Sequence, residues 1–340
     1  MAALNTRVEI SETQINSMQA FELRSSELQV TILPRLGGKI TSLRYLPSGR
    51  QWLWQDPQRP LRAASYGDNF ASYDRSGFDE CFPSIGECHY PEVPFKGIPI
   101  PDHGEVWSLP WNAEPLANGL KLVVNGVRFP YVFEKKVTLL PASRCQIEYK
   151  ITNQAPVDFK CAWSAHPLFA VDSGMRIMLP GAPRLSQELC LAGGRLRPND
   201  FLAPLRWPLV KDDDGTEFDL RVLPFDQLPV VDKVFATDLE AGWCAIWSPE
   251  SGEYVGFAFD RTQVPFVGIC VNLNPTPKQG PSALWTALEP CHASTDRLDI
   301  SILRGHYRLI PAMAHAEWQL ILAAGKTTEF DGLAPDGSKF

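Results

Sequence analysis

Proline is spread along the whole of this chain, and no other sequence feature constrains the fold as strongly. The 340 residues include 30 prolines, and a proline inside a helix removes a hydrogen-bond donor and clashes with the preceding turn. Few windows are therefore long enough for the interior of a helix. The 24 glycines add turn positions, so the composition favours many short strands joined by turns.

Apolar and polar residues alternate with a period of two in several segments, as they do in strands with one buried face. The pair Asn125-Gly126 lies between two apolar runs and predicts a hairpin turn. The clearest alternating segments are residues 27–32, 145–152, 255–259 and 318–322. Further strand-like runs are residues 120–124, 131–139, 176–179, 243–247, 266–271 and 297–303.

These strands follow one another without intervening helices, which is typical of an all-β sandwich or barrel. Residues 297–303 are the best helical candidate, but they alternate as clearly as they follow a helical period, and we interpret them as a strand. The sequence shows no repeat of fixed period, low-complexity linker or shift in composition. We therefore predict an all-β fold, with residues 1–340 forming a single large antiparallel domain.

The overall charge restricts the partners of the protein. A net charge of -7 argues against nucleic acid, because phosphate recognition needs a basic face. No stretch approaches the roughly 18 apolar residues of a spanning helix, and the first residues lack the apolar core of a secretory signal. We expect a cytoplasmic protein with no membrane partner. The eight irregularly spaced cysteines are expected to be reduced core residues.

Residues 66–110 differ from the rest of the chain. They are dense in Gly, Pro, acidic residues, His and aromatics and show little periodicity, and long irregular segments of this kind are often functional. Within them His103 stands beside Asp102 and close to Glu105. A neighbouring carboxylate raises the pKa of a histidine and fixes its tautomer, so His103 is a candidate site residue.

Two further residues are singled out by their surroundings. His166 ends an apolar run and precedes a proline, a position that places a polar side chain at the rim of a sheet. Glu289 follows five largely apolar residues, so it is either buried with a partner or placed for chemistry, unless it faces solvent on an edge strand.

Cofactor and metal motifs are not found. The sequence contains neither the glycine-rich nucleotide loops nor the zinc-protease motif. The pairs Cys88-His89 and Cys291-His292 offer zinc-ligand types, but neighbouring residues on a strand point to opposite faces. We expect no metal and no cofactor.

Four motifs, in order along nearly the whole chain, resemble those of the aldose 1-epimerase (galactose mutarotase-like) family. They are GGKITSL at residues 37–43, the His-Gly at His103, His-Pro-Leu-Phe at His166 and Leu-Glu-Pro at Glu289. The resemblance implies a large antiparallel β-sandwich of the supersandwich type. It also implies that Glu289 is the general base, that His166 is the general acid, and that His103 orients the sugar.

Other residues are candidates for binding a sugar. Arg75 is only a positional candidate for the family's arginine, whose motif is not matched. The segment GFDECFP at residues 77–83 resembles the hexose-6-phosphate epimerase branch, but its two carboxylates would repel a phosphate. We therefore expect phosphorylated sugars to bind poorly. Acidic and aromatic side chains that could contact sugar hydroxyls or stack on the ring are Asp79, Glu80, Asp232, Trp107 and Trp163.

The first functional hypothesis is an aldose 1-epimerase acting on a free sugar. Glu289 would be ionised at neutral pH, and His166, its pKa raised by nearby carboxylates, would hold the proton to be donated. A non-catalytic carbohydrate-binding protein, a hexose-6-phosphate epimerase and a carbohydrate-cleaving enzyme with two carboxylates remain alternatives.

Overall fold

The computed structural model describes residues 8–190, 196, 205–211, 215–226, 228–274 and 283–340, with the side chains of residues 189 and 190 excepted. Within these ranges the chain is almost entirely β-structure, with strands numbered β1–β26 along the sequence. All the paired strands are antiparallel, which confirms the all-β prediction. In the described part of the chain, no helix is long and apolar enough to cross a membrane.

The larger sheet has 12 strands and carries a group of buried polar side chains. Its order is β1-β2-β3-β4-β6-β14-β24-β23-β20-β16-β17, and β5 pairs with β4. The strands are β1 (Glu9–Ile15), β2 (Met18–Arg24), β3 (Leu28–Leu33), β4 (Lys39–Tyr45), β5 (Arg50–Gln51), β6 (Phe78–Cys81), β14 (Ser164–Ala170), β16 (Arg184–Cys190), β17 (Leu205–Arg206), β20 (Val230–Thr237), β23 (Phe266–Asn274) and β24 (Ala283–Cys291).

The second sheet has eight strands in the order β15-β21-β22-β26-β12-β11-β10-β9. Its long strands show the alternation expected from the sequence, and in β12 every second residue is buried. The strands are β9 (Asn112–Pro115), β10 (Gly119–Asn125), β11 (Tyr131–Leu140), β12 (Arg144–Asn153), β15 (Arg176–Met178), β21 (Trp243–Trp247), β22 (Glu253–Phe259) and β26 (His315–Lys326).

Three two-stranded sheets complete the β-structure. They pair β7 (Cys88–His89) with β8 (Pro99–Ile100), β13 (Phe159–Cys161) with β25 (Arg308–Ile310), and β18 (Leu209–Lys211) with β19 (Glu217–Asp219). Residues 66–110 contain only strands of two to four residues and two short 3-10 helices, Phe70–Ser72 and Val106–Ser108.

The prediction of a strand at residues 297–303 is wrong. This segment forms the helix α1 (Leu298–Arg304), which is capped by Gly305 in the left-handed region at φ 73°. A glycine adopts that conformation without a steric penalty and commonly ends helices. Leu298 and Ser301, three residues apart, form the buried side of the helix. The sequence of this segment therefore fits a helical period as well as the alternation of a strand.

The core lies between the two large sheets. Phe78 and Phe169 of the larger sheet contact Phe257 of the second sheet with ring centroids about 6 Å apart, and all three are buried. Burial of such aromatic side chains contributes about 1.5–3 kcal/mol each. The two large sheets therefore form a sandwich, and the central strands of the larger one have a second face, opposite the core, on which polar side chains gather.

Candidate functional site

Five neighbouring strands of the larger sheet align one residue each in a row across the face opposite the core. Asp79 pairs with His166, and Gly268 pairs with Glu289. Lys39 precedes Ile40, which pairs with Phe78, so it falls beside Asp79. The row, called here the polar row, is Lys39, Asp79, His166, Glu289 and Gly268.

His166 and Glu289 lie close together in this row. His166 Nε2 is 3.9 Å from Glu289 Oε1, and both side chains are buried. Their strands pair through Ser164 with Cys291 and Leu168 with Ala287, which places Glu289 opposite His166. The two residues that the resemblance assigns to proton transfer thus face the same volume.

Gly268 creates the space that the Glu289 carboxylate occupies. A Cβ at this position would lie 2.9 Å from Glu289 Oε2 and 3.1 Å from the Phe235 ring. Both distances are shorter than ordinary van der Waals contact, so a larger residue would displace the carboxylate.

Lys233 controls the charge around Glu289. Its Nζ lies 3.1 Å from Glu289 Oε2 and 2.7 Å from Asp296 Oδ1. Burial raises the pKa of Glu289, and the charge of Lys233 limits that rise. Burial alone would lower the pKa of Lys233, but Asp296 and Glu289 together raise it well above its usual value. Lys233 therefore remains charged between two carboxylates.

Lys39 has the same arrangement on the other side of His166. Its Nζ is 2.7 Å from Asp74 and 3.1 Å from Asp79, and all three side chains are buried. Burial raises the pKa of Asp79 to about 6 despite the neighbouring lysine. Lys39 in the polar row and Lys233 beside it are thus each held between two carboxylates.

The structure contradicts the expectation that carboxylates raise the pKa of His166. Burial is the largest influence and lowers this pKa well below its usual value, and the nearby basic groups His103, Lys233, Lys39 and Arg75 lower it further. His166 is therefore neutral at neutral pH. Its Nδ1 is buried and has no hydrogen-bond partner among the residues described.

His103 reaches the polar row from the loop of residues 101–105. Its backbone has φ 59°, and its N–H donates to the carbonyl of Ile85. The imidazole Nδ1 is 2.9 Å from Asp102 Oδ1. The ring centroids of His103 and His166 are 4.9 Å apart, so the two imidazoles are neighbours.

Aromatic side chains form one wall of the site. Phe70 stacks on His103 with ring centroids 4.0 Å apart and makes a T-shaped contact with His166 at 5.4 Å. Trp107 packs behind Phe70 and Tyr73, and its Nε1 donates to the carbonyl of Asp102. Trp107 is thus placed to support the wall rather than to stack on a ligand.

The structure does not bring Glu80 to this face. Successive side chains of a strand point to opposite faces, so Glu80 points into the core while its neighbours point to the polar row. There it accepts hydrogen bonds from Lys135, Tyr149 and Trp163 at 2.9–3.2 Å. Trp163 is fully buried and lies away from the site for the same reason.

Asp232 is also placed elsewhere. It precedes Lys233 on β20 and therefore points to the opposite face, where a small cavity is lined by apolar side chains that include Trp207 and Leu220. The backbone N–H of Leu196 is 3.5 Å from its Oδ1. Arg75, by contrast, lies near the polar row and is half-buried. It makes no ion pair or hydrogen bond with any described residue.

The Cys-His pairs are not brought together. Cys88 contacts Ser84, whereas the His292 ring packs against Trp163 and Trp318. Burial lowers the pKa of His292 to about 3. Neither pair faces the polar row with two ligand atoms.

Sequence reasoning did not identify Lys39, Lys233 or Phe70 as site residues. Lys39 stands inside the GGKITSL motif, so its position in that motif was an available signal. Lys233 directly follows Asp232 on β20, so no alternation of polar and apolar residues marks it as a buried side chain. Phe70 belongs to the irregular segment, where no period indicates which side chains face the site.

The two packed sheets define this chain as a protein of galactose mutarotase-like fold. A galactose mutarotase-like protein from Clostridium acetobutylicum is 12% identical, with a TM-score of 0.64 over 94% of this chain and 99% of that one. A candidate aldose 1-epimerase from Klebsiella pneumoniae is 13% identical, with a TM-score of 0.66 over 94% and 84%. A candidate aldose 1-epimerase from Escherichia coli K12 is 15% identical, with a TM-score of 0.62 over 94% and 100%.

No protein-family model matches the sequence, and no curated protein is detectably similar to it. The likeness to solved structures is a likeness of fold.

Proposed function

We propose that this protein is an aldose 1-epimerase, which interconverts the α and β anomers of a free sugar. The observation that carries the proposal is the 3.9 Å separation between His166 Nε2 and Glu289 Oε1 on one face of the sheet. Anomer exchange needs a base at the O1 hydroxyl and a hydrogen-bond donor at the ring oxygen. Both of these oxygen atoms are bonded to C1. One carboxylate and one imidazole at this separation can address them together.

Glu289 acts as the base in this proposal. Its carboxylate removes the O1 proton, the electron pair forms the C1–O1 double bond, and the bond from C1 to the ring oxygen breaks. The adjacent Lys233 favours the ionised carboxylate that this step requires. After rotation about C1–C2, the ring closes by the reverse steps with the other configuration.

His166 acts as the donor at the ring oxygen. Because burial keeps this imidazole neutral, its N–H stabilises the negative charge on that oxygen by a hydrogen bond, as a neutral histidine can do elsewhere. The proton taken up by Glu289 then passes to the ring oxygen, since O1 and the ring oxygen are within reach of one carboxylate. This role differs from donation of a full proton, which the resemblance implies.

Polarimetry of freshly dissolved α-glucose and α-galactose tests the proposal. The wild-type protein is expected to accelerate the approach to anomeric equilibrium, and Glu289→Gln is expected to reduce that rate by about 10²–10⁴ because the amide cannot accept the proton. The matched control is Glu317→Gln, an exposed glutamate on β26, which should keep the wild-type rate.

Two results would overturn the proposal. A folded Glu289→Gln protein with the wild-type rate would remove the base from the mechanism. Sugar binding by the wild-type protein without any acceleration would instead identify a carbohydrate-binding protein on the same fold.

Arg75 favours a second candidate, an epimerase of phosphorylated sugars. The expected repulsion of phosphate loses its basis because Glu80 points into the core and Asp79 is paired with Lys39. The Arg75 guanidinium has no ion-pair partner in the part of the chain described, and guanidinium groups bind phosphate oxygens well. The substrate class is tested by comparing glucose with glucose 6-phosphate at low ionic strength. If phosphate binds here, Arg75→Met lowers kcat/KM for the phosphate ester alone by about 10- to 100-fold.

A further inference from the structure

Three potential metal ligands meet beside the polar row. Cys81 Sγ and one ring nitrogen each from His103 and His166 all lie within 4.8 Å of one another. Zinc bond lengths of about 2.0–2.3 Å in a tetrahedral site bring such atoms to about 3.3–3.6 Å. At the largest separation, the ligand atoms therefore need to approach one another by about 1.2–1.5 Å around an ion.

We propose that Cys81, His103 and His166 form a binding site for a thiophilic divalent cation of the zinc type. One thiolate and two imidazoles favour zinc over magnesium and calcium, which prefer oxygen ligands. Three protein ligands leave a fourth position for an exchangeable ligand, as in zinc sites of this type.

The hydrogen bonding of His103 supports this assignment. Its Nδ1 is 2.9 Å from Asp102 Oδ1, which leaves Nε2 free for an ion. Metal-binding histidines usually donate their other ring N–H to a carboxylate or a carbonyl, and that bond fixes the tautomer. The loop is held in place by the His103 N–H, which donates to Ile85, and by the Glu105 N–H, which donates to Phe82.

The other two ligands are available for coordination. His166 Nδ1 is buried and has no hydrogen-bond partner among the described residues, and Cys81 is a fully buried free cysteine. Cys81 follows Asp79 by two residues on β6, so its side chain shares the face of the polar row. Ion binding releases the thiol proton to solvent and forms the metal–sulfur bond.

The charges around the cluster suit a dication. Lys39 lies between Asp74 and Asp79, and Lys233 lies between Glu289 and Asp296. Each of these groups of three carries a net single negative charge when its carboxylates are ionised. Asp102 adds one further negative charge, and Arg75 offsets it.

An ion at this position would be coordinated by a ring nitrogen of His166, the histidine that the proposed function requires. Saturating Zn²⁺ is therefore expected to stop anomer exchange, and this single consequence depends on the proposed function. Metal binding itself does not depend on it and is measured without sugar.

The test titrates the metal-free full-length protein with Co²⁺ and follows its absorption spectrum, then displaces Co²⁺ with Zn²⁺. We expect one ion per chain, the visible bands of tetrahedral Co²⁺ and a sulfur-to-cobalt charge-transfer band, with no displacement by Mg²⁺. Cys81→Ser should abolish the charge-transfer band and weaken binding at least 100-fold. Asp102→Asn should weaken it by about 10- to 100-fold.

The matched control is Cys145→Ala, which removes a buried cysteine from the opposite sheet and should leave the spectrum unchanged. Circular dichroism establishes that each variant is folded, and His103→Ala replaces Cys81→Ser if the latter does not fold. Absence of a charge-transfer band in the wild-type protein, or the same Co²⁺ affinity in the ligand variants, would overturn the proposal. Anomer exchange measured in EDTA reports on the proposed function separately.

Discussion

Neighbouring residues of β6 have opposite surroundings because successive side chains of a strand point to opposite faces. Asp79 and Cys81 face the polar row, whereas Phe78 and Glu80 face the core between the sheets. In the sequence, Asp79 and Glu80 stand together as one acidic pair, although the alternation of a strand already assigns them to opposite faces. At the scale of the residue, strand geometry decides which carboxylate can meet a ligand.

Glu80 is expected to matter for stability. Glu80→Ala leaves the fully buried Lys135 ammonium without its carboxylate, and loss of one partner of a buried ion pair typically costs about 3–5 kcal/mol. Urea unfolding measures this difference. The exposed Glu317→Ala should change the free energy of unfolding by less than about 0.5 kcal/mol. An equally small effect at Glu80 would contradict the structural role given to this residue.

Gly268 provides a second test at a single position. Gly268→Ala places a Cβ 2.9 Å from Glu289 Oε2, so the carboxylate must move, and a shift of about 1 Å can cost about 100-fold in rate. We expect slower anomer exchange by polarimetry with the fold retained. Gly174→Ala is the control, because no atom lies within 4 Å of the added carbon. A wild-type rate in Gly268→Ala would show that the carboxylate position is not critical.

The elements of this fold were predictable to different degrees. Long alternating strands such as β12 and β26 follow from sequence because each has one buried face. The seven-residue helix α1 does not, since so short a segment fits both periods. The loop of residues 101–105 has no period at all, and tertiary hydrogen bonds fix its conformation.

Candidate site residues show the same division. His166 and Glu289 stand out in sequence because each is a polar residue within an apolar run. The neutrality of His166 was not predictable, since the charges acting on it come from β4, β20 and two loops that are distant in the chain. Only the assembled sheet determines which cations surround it.

Gly104 is expected to hold the His103 loop in place. The added Cβ of Gly104→Ala would lie 2.2 Å from the Phe82 carbonyl oxygen, at a backbone φ of 75°. The loop must therefore move, and we expect the free energy of unfolding to fall by about 1–3 kcal/mol and Co²⁺ affinity to fall with it. Gly97→Ala has a similar φ but open space around it, so it should destabilise the protein without changing metal affinity. Unchanged Co²⁺ affinity in Gly104→Ala would contradict this coupling.

The stability of the whole molecule depends on packing between its two large sheets. His292 lies close to the side chains that pack there. Its ring contacts Trp163 and Trp318, the latter on β26 of the second sheet. Burial lowers the pKa of this imidazole to about 3, so protonation opposes folding. At this scale, a buried neutral base links the stability of the sandwich to pH.

The pH dependence has a definite sign. The stabilising contribution of neutral His292 is fully present above its usual pKa of about 6.5 and is lost as pH falls toward 3, by up to about 1.4 kcal/mol per pH unit. We expect the free energy of unfolding, measured in urea between about pH 7 and about pH 4, to depend less steeply on pH for His292→Gln than for the wild-type protein. The exposed His315→Gln should keep the wild-type slope, and an unchanged slope in His292→Gln would contradict the assignment.

The polar row also has a consequence for when the candidate site is assembled during folding. Its members come from residues 39, 79, 166, 268 and 289, so the row joins segments separated by most of the chain. Contacts of such long sequence separation form slowly, because the intervening loops must close first. The site is complete only when β24 has paired with β14, so the return of the proposed activity during refolding reports that pairing rather than the first appearance of strands.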